Sequence, residues 1–348
     1  MTEKIPQFNW NSIDQSRLER LRTAAGDGPV LILSHDNPDP DSLSSGKGLA
    51  ALLQSAWGVS SRLMYSGLVA RAENRAMLQL LTPEWEHIDL LPDLKGFSAV
   101  ALVDTQPGAG NNSLPEGHLP QIVIDHHHPL RDELDRVPFV DVRPNIGATA
   151  SMVYEYLDAA GIEPDGTLAT ALFYGVQTDT RGLARGGSIT DEYVYLNLLP
   201  HLDRLILIRV EQAGLSRDYY RAFCNGLEAA RVYEHSIIAS LGDLQRPDLT
   251  AEMADILIRM EGIRAVLCLG FHQNMLFFSL RTEPLGQDAG LLVQSIIKSF
   301  GKAGGHGTMA GGQVSLEGKD PDKIVQRIEG RFLKVMNEDG EGERLLLD

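Results

Sequence analysis

The sequence predicts an α/β protein: an N-terminal parallel sheet with helices on both faces, followed by a smaller C-terminal α/β domain with a mixed sheet. Three observations predict it. Short apolar runs alternate with helical patterns over the first half, as crossover helices require in a parallel sheet. Three of those runs, Val30 to Leu33, Ala99 to Val103 and Gln121 to Ile124, end directly in acidic or histidine-bearing residues. At 348 residues the chain exceeds what one ordinary core needs, so two domains are expected.

In chain order, VLIL (Val30 to Leu33) is a buried strand that runs into the polar loop SHDNPDPDS, Ser34 to Ser42. A helix follows over roughly Ser44 to Trp57, with Leu49, Leu52 and Leu53 on one face. Arg62 to Tyr65 reads as the next strand and Ala70 to Leu81 as a helix. After the strands Ala99 to Val103 and Gln121 to Ile124 come helices over Ala148 to Ala160 and Thr167 to Gly175. Arg217 to Leu241 reads as one long helix joining the domains, and the turn residues and Pro247 of 242–250 mark the boundary. The expected division is a first domain over 1–215, a connector helix and linker over 216–249, and a second domain over 250–348. The second domain begins with a helix, Ala251 to Met260. Strands Ala265 to Phe271 and Met275 to Arg281 then form a hairpin around His272-Gln273-Asn274. A helix from Ala289 to Phe300, the glycine-rich loop GKAGGHGTMAGGQ, a helix from Asp322 to Val335 and a frayed acidic tail complete it. In that tail Leu345 to Leu347 are able to dock.

Hydrophobic residues make up 43% of the chain and charged residues 22%, a globular balance that argues against long disorder. The formal net charge is −16, and no Lys/Arg-rich run supplies the basic stripe that long duplex nucleic acid demands. Short substrates held by a few residues and by metal ions remain compatible. The two cysteines, Cys224 and Cys268, form neither a CxxC pair nor a disulfide framework and are expected to be buried structural thiols. The N-terminus lacks a basic region followed by an apolar core, and no apolar stretch approaches the ~20 residues of a membrane span. A cytoplasmic protein without membrane contact is expected.

Four segments concentrate metal-binding side chains: His35 to Asp41, Asp104 at the end of AVALV, Asp125-His126-His127-His128 at the end of QIVI, and Asp179 after an apolar helix. Singly, each has a plain structural explanation. Asp104 and Asp179 could cap turns or helices, Asp39 and Asp41 could form Asx-turns, and the histidine run could be a solvated loop. Jointly they bring carboxylates and imidazoles to strand and helix ends of one domain, where open α/β sheets bind ligands. Phosphoryl hydrolysis needs equatorial oxygens neutralised and hydroxide available near pH 7, which two divalent ions about 3.5–4 Å apart supply. Oxygen ligands mixed with imidazole, without thiolate, suit Mn.

In order, HDNPDPDS, the strand-end Asp104, the DHH of Asp125 to His127, and Asp179 resemble the four motifs of the DHH phosphoesterase superfamily. Gly304-Gly305-His306 resembles the GGGH motif of the DHH-associated C-terminal domain found in RecJ-like and nanoRNase members, with Ser279-Leu280-Arg281 similar to its substrate-contacting strand. The resemblance covers nearly the whole chain. It implies two divalent metal ions, Mn first, with Mg or Co as alternatives. His35 and Asp39 would bind one ion, Asp41, His126 and Asp179 the other, and Asp104 both. The nucleophile would be a metal-activated hydroxide. His127 would lie beside the substrate phosphate, and Asp125 would orient an imidazole. His128 matches no part of the motif and is read as structural. In the second domain Gly304 and Gly305 would let backbone approach the nucleotide, while His306 and Arg281 would grip its phosphate and Ser279 would contact substrate beside them. Ala303 departs from the motif, standing where its first glycine is usual, which bears on substrate choice.

The compact layout resembles the nanoRNase and pAp-phosphatase group, which implies short oligonucleotides, linear dinucleotides such as pApA, or adenosine 3′,5′-bisphosphate as substrate. The small domain would close over the substrate and limit its length. Two alternatives stand beside this: an exopolyphosphatase- or pyrophosphatase-like hydrolase of phosphoanhydrides, and a nucleotide-binding sensor without turnover. Family analogy admits a homodimer.

Overall fold

Short apolar runs bounded by polar loops form a first sheet, and the helices between them carry the chain from strand to strand. The computed structural model describes residues 13–283, 286–297 and 301–345. The chain divides into two compact units, Met1–Ala213 and Gly214–Asp348.

The first unit runs α1 (Gln15–Ala25), β1 (Val30–Leu33), α2 (Pro40–Trp57), β2 (Ser61–Tyr65), α3 (Ala72–Leu80), β3 (Trp85–His87), β4 (Ala99–Val103), β5 (Ile122–Asp125) and β6 (Phe139–Val142). Then follow α4 (Thr149–Ala159), α5 (Gly166–Asp179), α6 (Ile189–Leu198) and α7 (Arg204–Glu211). The six strands are all parallel, in the order β3-β2-β1-β4-β5-β6. Successive strand residues point to opposite faces, and the two faces are covered unequally. Val30, Ile32, Ala101 and Ile124 pack with α1, α2, α4 and α5 in the main core. Leu31, Leu33, Val100, Leu102 and Val123 pack under Leu134 and Val137, beside the short 3-10 turns Leu94–Gly96 and Asp132–Arg136. The helical cover expected on both faces is therefore α-helical on one and 3-10 on the other.

Helix α2 starts at Pro40, four residues earlier than the sequence suggests. Asp39 caps it: its carboxylate accepts from the Ser42 amide at 3.0 Å, and the Asp39 amide donates to the Ser42 hydroxyl at 3.1 Å. Pro40 at the first helical position needs no amide partner. The Asp-Pro-Asp segment is thus a helix start rather than a loop, and it fixes both carboxylates to α2.

The second unit runs α8 (Arg217–Ala229), β7 (Arg231–Val232), β8 (Ser236–Asp243), α9 (Leu249–Leu257), β9 (Ala265–His272), β10 (Met275–Thr282), α10 (Ala289–Ile297), β11 (Lys302–His306), β12 (Met309–Ser315), α11 (Pro321–Met336) and β13 (Glu343–Arg344). Its sheet is mixed, in the order β11-β12-β10-β9-β8-β7-β13, with β8 and β9 parallel and the other pairs antiparallel.

Several expectations for this unit change. The single helix over Arg217 to Leu241 ends at Ala229, and its second half is strand: Ile237, Ile238, Ala239 and Leu241 are buried, on both faces of a sheet rather than along one helical stripe. The connector expected over 216–249 consists of α8, β7, β8 and the start of α9, all inside the second unit. The glycine-rich loop is an antiparallel pair, β11 with β12, whose glycines hide the two-residue alternation that marks a strand. The acidic tail is anchored as well, because Glu343 and Arg344 pair with β7 and the Leu345 amide bonds to Ala230. Leu346 and Leu347, and the last three residues of the helix expected to reach Phe300, lie outside the described residues. Cys268 is buried as expected, but Cys224 is exposed, on the outer side of α8. No helix among the described residues is long and apolar enough to cross a membrane.

Candidate metal centre

Each of the four polar segments is delivered to one place by a different element. β1 ends before His35, α2 carries Asp39 at its cap and Asp41 in its first turn, β4 ends before Asp104, β5 ends at Asp125, and α5 ends at Asp179. Asp104 takes a left-handed backbone, φ 60°, which a non-glycine residue adopts only when its surroundings impose it.

The donors fall into overlapping sets. His35, Asp39 and Asp104 form one, Asp41, His126 and Asp179 a second, and Asp104, His126 and His127 a third, each with its donor atoms within 4.8 Å of one another. His35 Nε2 lies 3.6 Å from Asp39 Oδ1 and 3.5 Å from Asp104 Oδ2. His126 Nε2 lies 3.8 Å from Asp41 Oδ2, 3.6 Å from Asp104 Oδ1 and 3.2 Å from Asp179 Oδ2. Asp104 thus faces both imidazoles, one with each carboxylate oxygen.

Both imidazoles are aimed by their other nitrogen. His35 Nδ1 bonds to the Asp36 carbonyl at 2.9 Å and His126 Nδ1 to the Ile146 carbonyl at 3.0 Å. His126 Nε2 is buried and makes no hydrogen bond, a costly state for a polar atom unless a further group completes it. Ligands about 2.1 Å from an octahedral ion lie about 3 Å apart along an edge, close to the spacing of these donors. The residues fit divalent cations: hard oxygens plus imidazole, a lone buried Nε2, and converging carboxylates.

Electrostatics agree. Burial, then the charges of Asp104, Asp179 and Asp39, hold the Asp41 carboxyl well above the usual carboxylate range. Burial, then Asp39, raises Asp179 to about 6. At Asp39 burial is outweighed by hydrogen bonding to His35, and its carboxyl is lowered. At His35 burial is likewise outweighed by Asp104 and Asp39, and the imidazole is held well above its usual value. Concentrated negative charge of this kind is what a bound cation relieves.

Asp125 stands behind the centre. It is fully buried, and its Oδ1 accepts from His127 Nδ1 at 2.9 Å. His127 also lies 3.5 Å from Asp104 Oδ1, with its side chain 44% exposed. Burial disfavours its charge, but Asp104 and Asp125 outweigh that and raise it to about 9.

Several supporting residues were not anticipated. Thr149 donates its hydroxyl to Asp104 at 2.8 Å, and the amides of Thr149 and Ala150 each donate to Asp41 at 2.7 Å. Helix α4 thereby holds two of the carboxylates with its N-terminus. Buried Asp191 accepts from the Gly147 amide and the Ser151 hydroxyl, and so pins the start of that helix. Arg185 donates to the Asp179 carbonyl at 2.9 Å. A polar residue three or four places into a helix, such as Ser188-x-x-Asp191, reads as an ordinary cap, so the sequence carries no separate signal for these contacts.

Apart from His127, the residues expected to contact substrate lie in the second unit. Ser279 and Arg281 share one face of β10, and both are buried. Ser279 Oγ is 2.9 Å from Thr250 Oγ1, and Arg281 Nε donates to Asp255 Oδ1 at 2.6 Å while its Nη1 donates to the Leu280 carbonyl at 3.1 Å. Gly304 and Gly305 are exposed in β11. Gly305 has φ 157°, and a Cβ there would fall 2.3 Å from the Met309 carbonyl, whereas one at Gly304 would meet nothing within 4 Å. The side chain of His306 lies outside the described residues.

Residues 29–176 match the family model described as DHH family, N-terminal domain. An uncharacterized protein of Methanocaldococcus jannaschii is 35% identical over 83% of this chain, which spans 58% of that relative's length. The bifunctional oligoribonuclease and PAP phosphatase NrnA of Thermus thermophilus is 26% identical over 90% of this chain and 92% of its own. A probable manganese-dependent inorganic pyrophosphatase of Streptococcus agalactiae is 24% identical over 53% of this chain and 58% of its own.

Proposed function

The chain belongs to the DHH family of phosphoesterases, and on that premise we propose that it hydrolyses short oligonucleotides, linear dinucleotides such as pApA, or adenosine 3′,5′-bisphosphate. The observation that carries this reading is the position of Asp104 between two donor sets, its carboxylate oxygens facing His35 and His126 at 3.5 and 3.6 Å. In this reading His35, Asp39 and Asp104 would hold one divalent ion, and Asp41, His126 and Asp179, with Asp104, would hold a second. Mn is the first choice, on the oxygen and imidazole donors and on the probable manganese dependence of the pyrophosphatase relative. Bound ions of this kind neutralise phosphoryl oxygens and make hydroxide available near neutral pH.

The chain's own groups do the rest. His127, held at Nδ1 by Asp125, presents its other nitrogen to a non-bridging oxygen of the scissile phosphate. When protonated, it donates a charge-assisted hydrogen bond as negative charge builds there. In the second unit we assign the nucleotide to Gly304, Gly305 and His306, with Ser279 and Arg281 contributing from β10. Arg281 makes that contact while paired to Asp255, which holds its guanidinium plane in place. The relative NrnA, matched along almost its whole length, supports nucleotides as the substrate class.

Phosphoanhydride hydrolysis is the second reading, favoured by the pyrophosphatase relative. One assay separates them: release of phosphate and mononucleotide from pApA, adenosine 3′,5′-bisphosphate, pyrophosphate and a long oligonucleotide, with Mn and with Asp104→Ala as control. Metal-dependent turnover of pApA or the bisphosphate, lost in the variant, is the expected result. Turnover of pyrophosphate alone would move the protein to the second reading. Nucleotide binding with no product would make it a sensor.

A further inference from the structure

Gln106 lies two residues beyond Asp104 and is 3% exposed. Its amide is fully engaged. Nε2 donates to Asp125 Oδ2 at 2.6 Å and to the His127 carbonyl at 2.9 Å, and Oε1 accepts from the Arg131 amide at 3.0 Å. Two acceptors on one side and a backbone donor on the other permit a single orientation of this amide. Asp125 is in turn held from both ends, since Oδ2 takes the Gln106 proton while Oδ1 takes the His127 Nδ1 proton. A carboxylate engaged at both oxygens cannot rotate about its own bond without breaking one of them. The imidazole that it holds is therefore fixed in plane and in tautomer, with the proton on Nδ1 whichever charge the ring carries.

From this geometry we propose that Gln106 is a positioning residue for His127, acting through Asp125, and that it sets the direction in which His127 Nε2 meets the substrate phosphate. Its bonds to the His127 carbonyl and the Arg131 amide also tie the loop after β5 to the loop after β4, so the two segments that carry Asp104 and His127 move as one. The consequence for catalysis rests on the phosphoesterase reading; the alignment of the ring does not.

The test uses Gln106→Met, which removes the donor at similar volume, and Gln106→Glu, which turns an acceptor toward Asp125 and serves should the first variant fold poorly. In the Mg-loaded protein with 15N-labelled histidine, the His127 Nδ1 proton, identified by its absence in His127→Ala, is expected to exchange slowly with water. In either Gln106 variant it is expected to exchange about tenfold faster or to vanish, since a hydrogen bond to a charged group is worth about 1.5–3 kcal/mol and its loss frees the carboxylate that holds this proton. With Mn saturating, kcat is expected to fall about 10–100-fold with KM nearly unchanged. In a His127→Ala background the same substitution is expected to cost nothing more, because residues acting through one another are not additive. An unaltered Nδ1 proton in a folded variant, or kcat losses that multiply with His127→Ala, would overturn the proposal. A wild-type protein inactive on every phosphate substrate, with the exchange result as expected, would remove the phosphoesterase reading and leave the positioning role supported.

Discussion

Thr149, the first residue of α4, donates its hydroxyl to Asp104 Oδ1 at 2.8 Å, so the carboxylate shared by two of the three donor sets is held by a helix that contributes no residue to any of them. Thr149→Val keeps the branched shape and removes that donor. Mn affinity measured by calorimetry is expected to fall roughly 10–100-fold, the usual cost of losing a partner behind a metal ligand. Thr149→Ser, which keeps the hydroxyl, is expected to retain most of it. Equal affinity in all three proteins would mean that Asp104 is placed by its backbone alone.

The titration of the centre has a definite sign. Asp179, raised by burial and then by Asp39 to about 6, favours the protonated form in the folded state; its contribution is complete below the ordinary carboxylate value of 3.8 and is lost as pH rises through 6. His127, raised to about 9 by Asp104 and Asp125 against burial, contributes fully below 6.5 and loses this as pH rises through 9. Both act in one direction, so the chelator-treated protein is expected to melt at higher temperature as pH falls from 9 to 5. Cations compete with protons for these ligands, so the rise in Tm on adding Mn is expected to widen with pH. Asp179→Asn should lessen the slope between pH 5 and 6 and leave the part that Asp41, also raised, contributes. A chelated protein that loses stability steadily over the same descent would contradict the charge crowding described here.

The sequence was most legible where one strand face could not be mistaken. VLIL, AVALV and the run ending at Asp125 are continuous apolar segments that stop at polar residues, and buried parallel strands have that appearance. Trp85–His87 and Phe139–Val142, the two sheet edges, went unread because three or four residues with charges among them carry too little pattern. Asp39 and Asp41 were legible as ligand-type residues but not as parts of a helix, since two prolines resemble a loop until the reciprocal bonds of Asp39 and Ser42 are known. SIIASLGD followed a good amphipathic helix without an intervening glycine or proline, and helix was the natural continuation. Gln106 and Asp191 were invisible for another reason: their partners are distant in sequence, and a buried polar side chain shows its purpose only once those partners are in place.

Helix α2 also depends on a close approach remote from its ligands. A Cβ on Gly46 would fall 2.2 Å from Trp85 Cζ2, and the Trp85 ring is held on that same edge by the bond from Nε1 to the Leu43 carbonyl at 2.9 Å. The ring cannot retreat without giving up that bond. Gly46→Ala is therefore expected to destabilise the protein by roughly 1–3 kcal/mol, as overpacking of a tight core does, despite alanine's better helix propensity. Thermal unfolding with and without Mn checks it: a lower Tm in both conditions is expected, and an unchanged or higher Tm would show that the sheet edge bearing Trp85 yields freely.

The two thiols should differ sharply in reactivity. Cys268 is buried at the centre of the second sheet, and burial pushes its thiol well above the usual range despite the nearby Arg281 charge. Only the thiolate is a good nucleophile, so Cys268 combines low access with a negligible thiolate fraction at neutral pH. Cys224 is exposed on α8. Iodoacetamide applied to the folded protein at pH 8, followed by peptide mass analysis, is expected to label Cys224 alone, and both residues are expected to react in denaturant. Labelling of Cys268 at a comparable rate in the native protein would mean that the β9 core opens far more often than its packing implies, and with it the strand that carries Ser279 and Arg281.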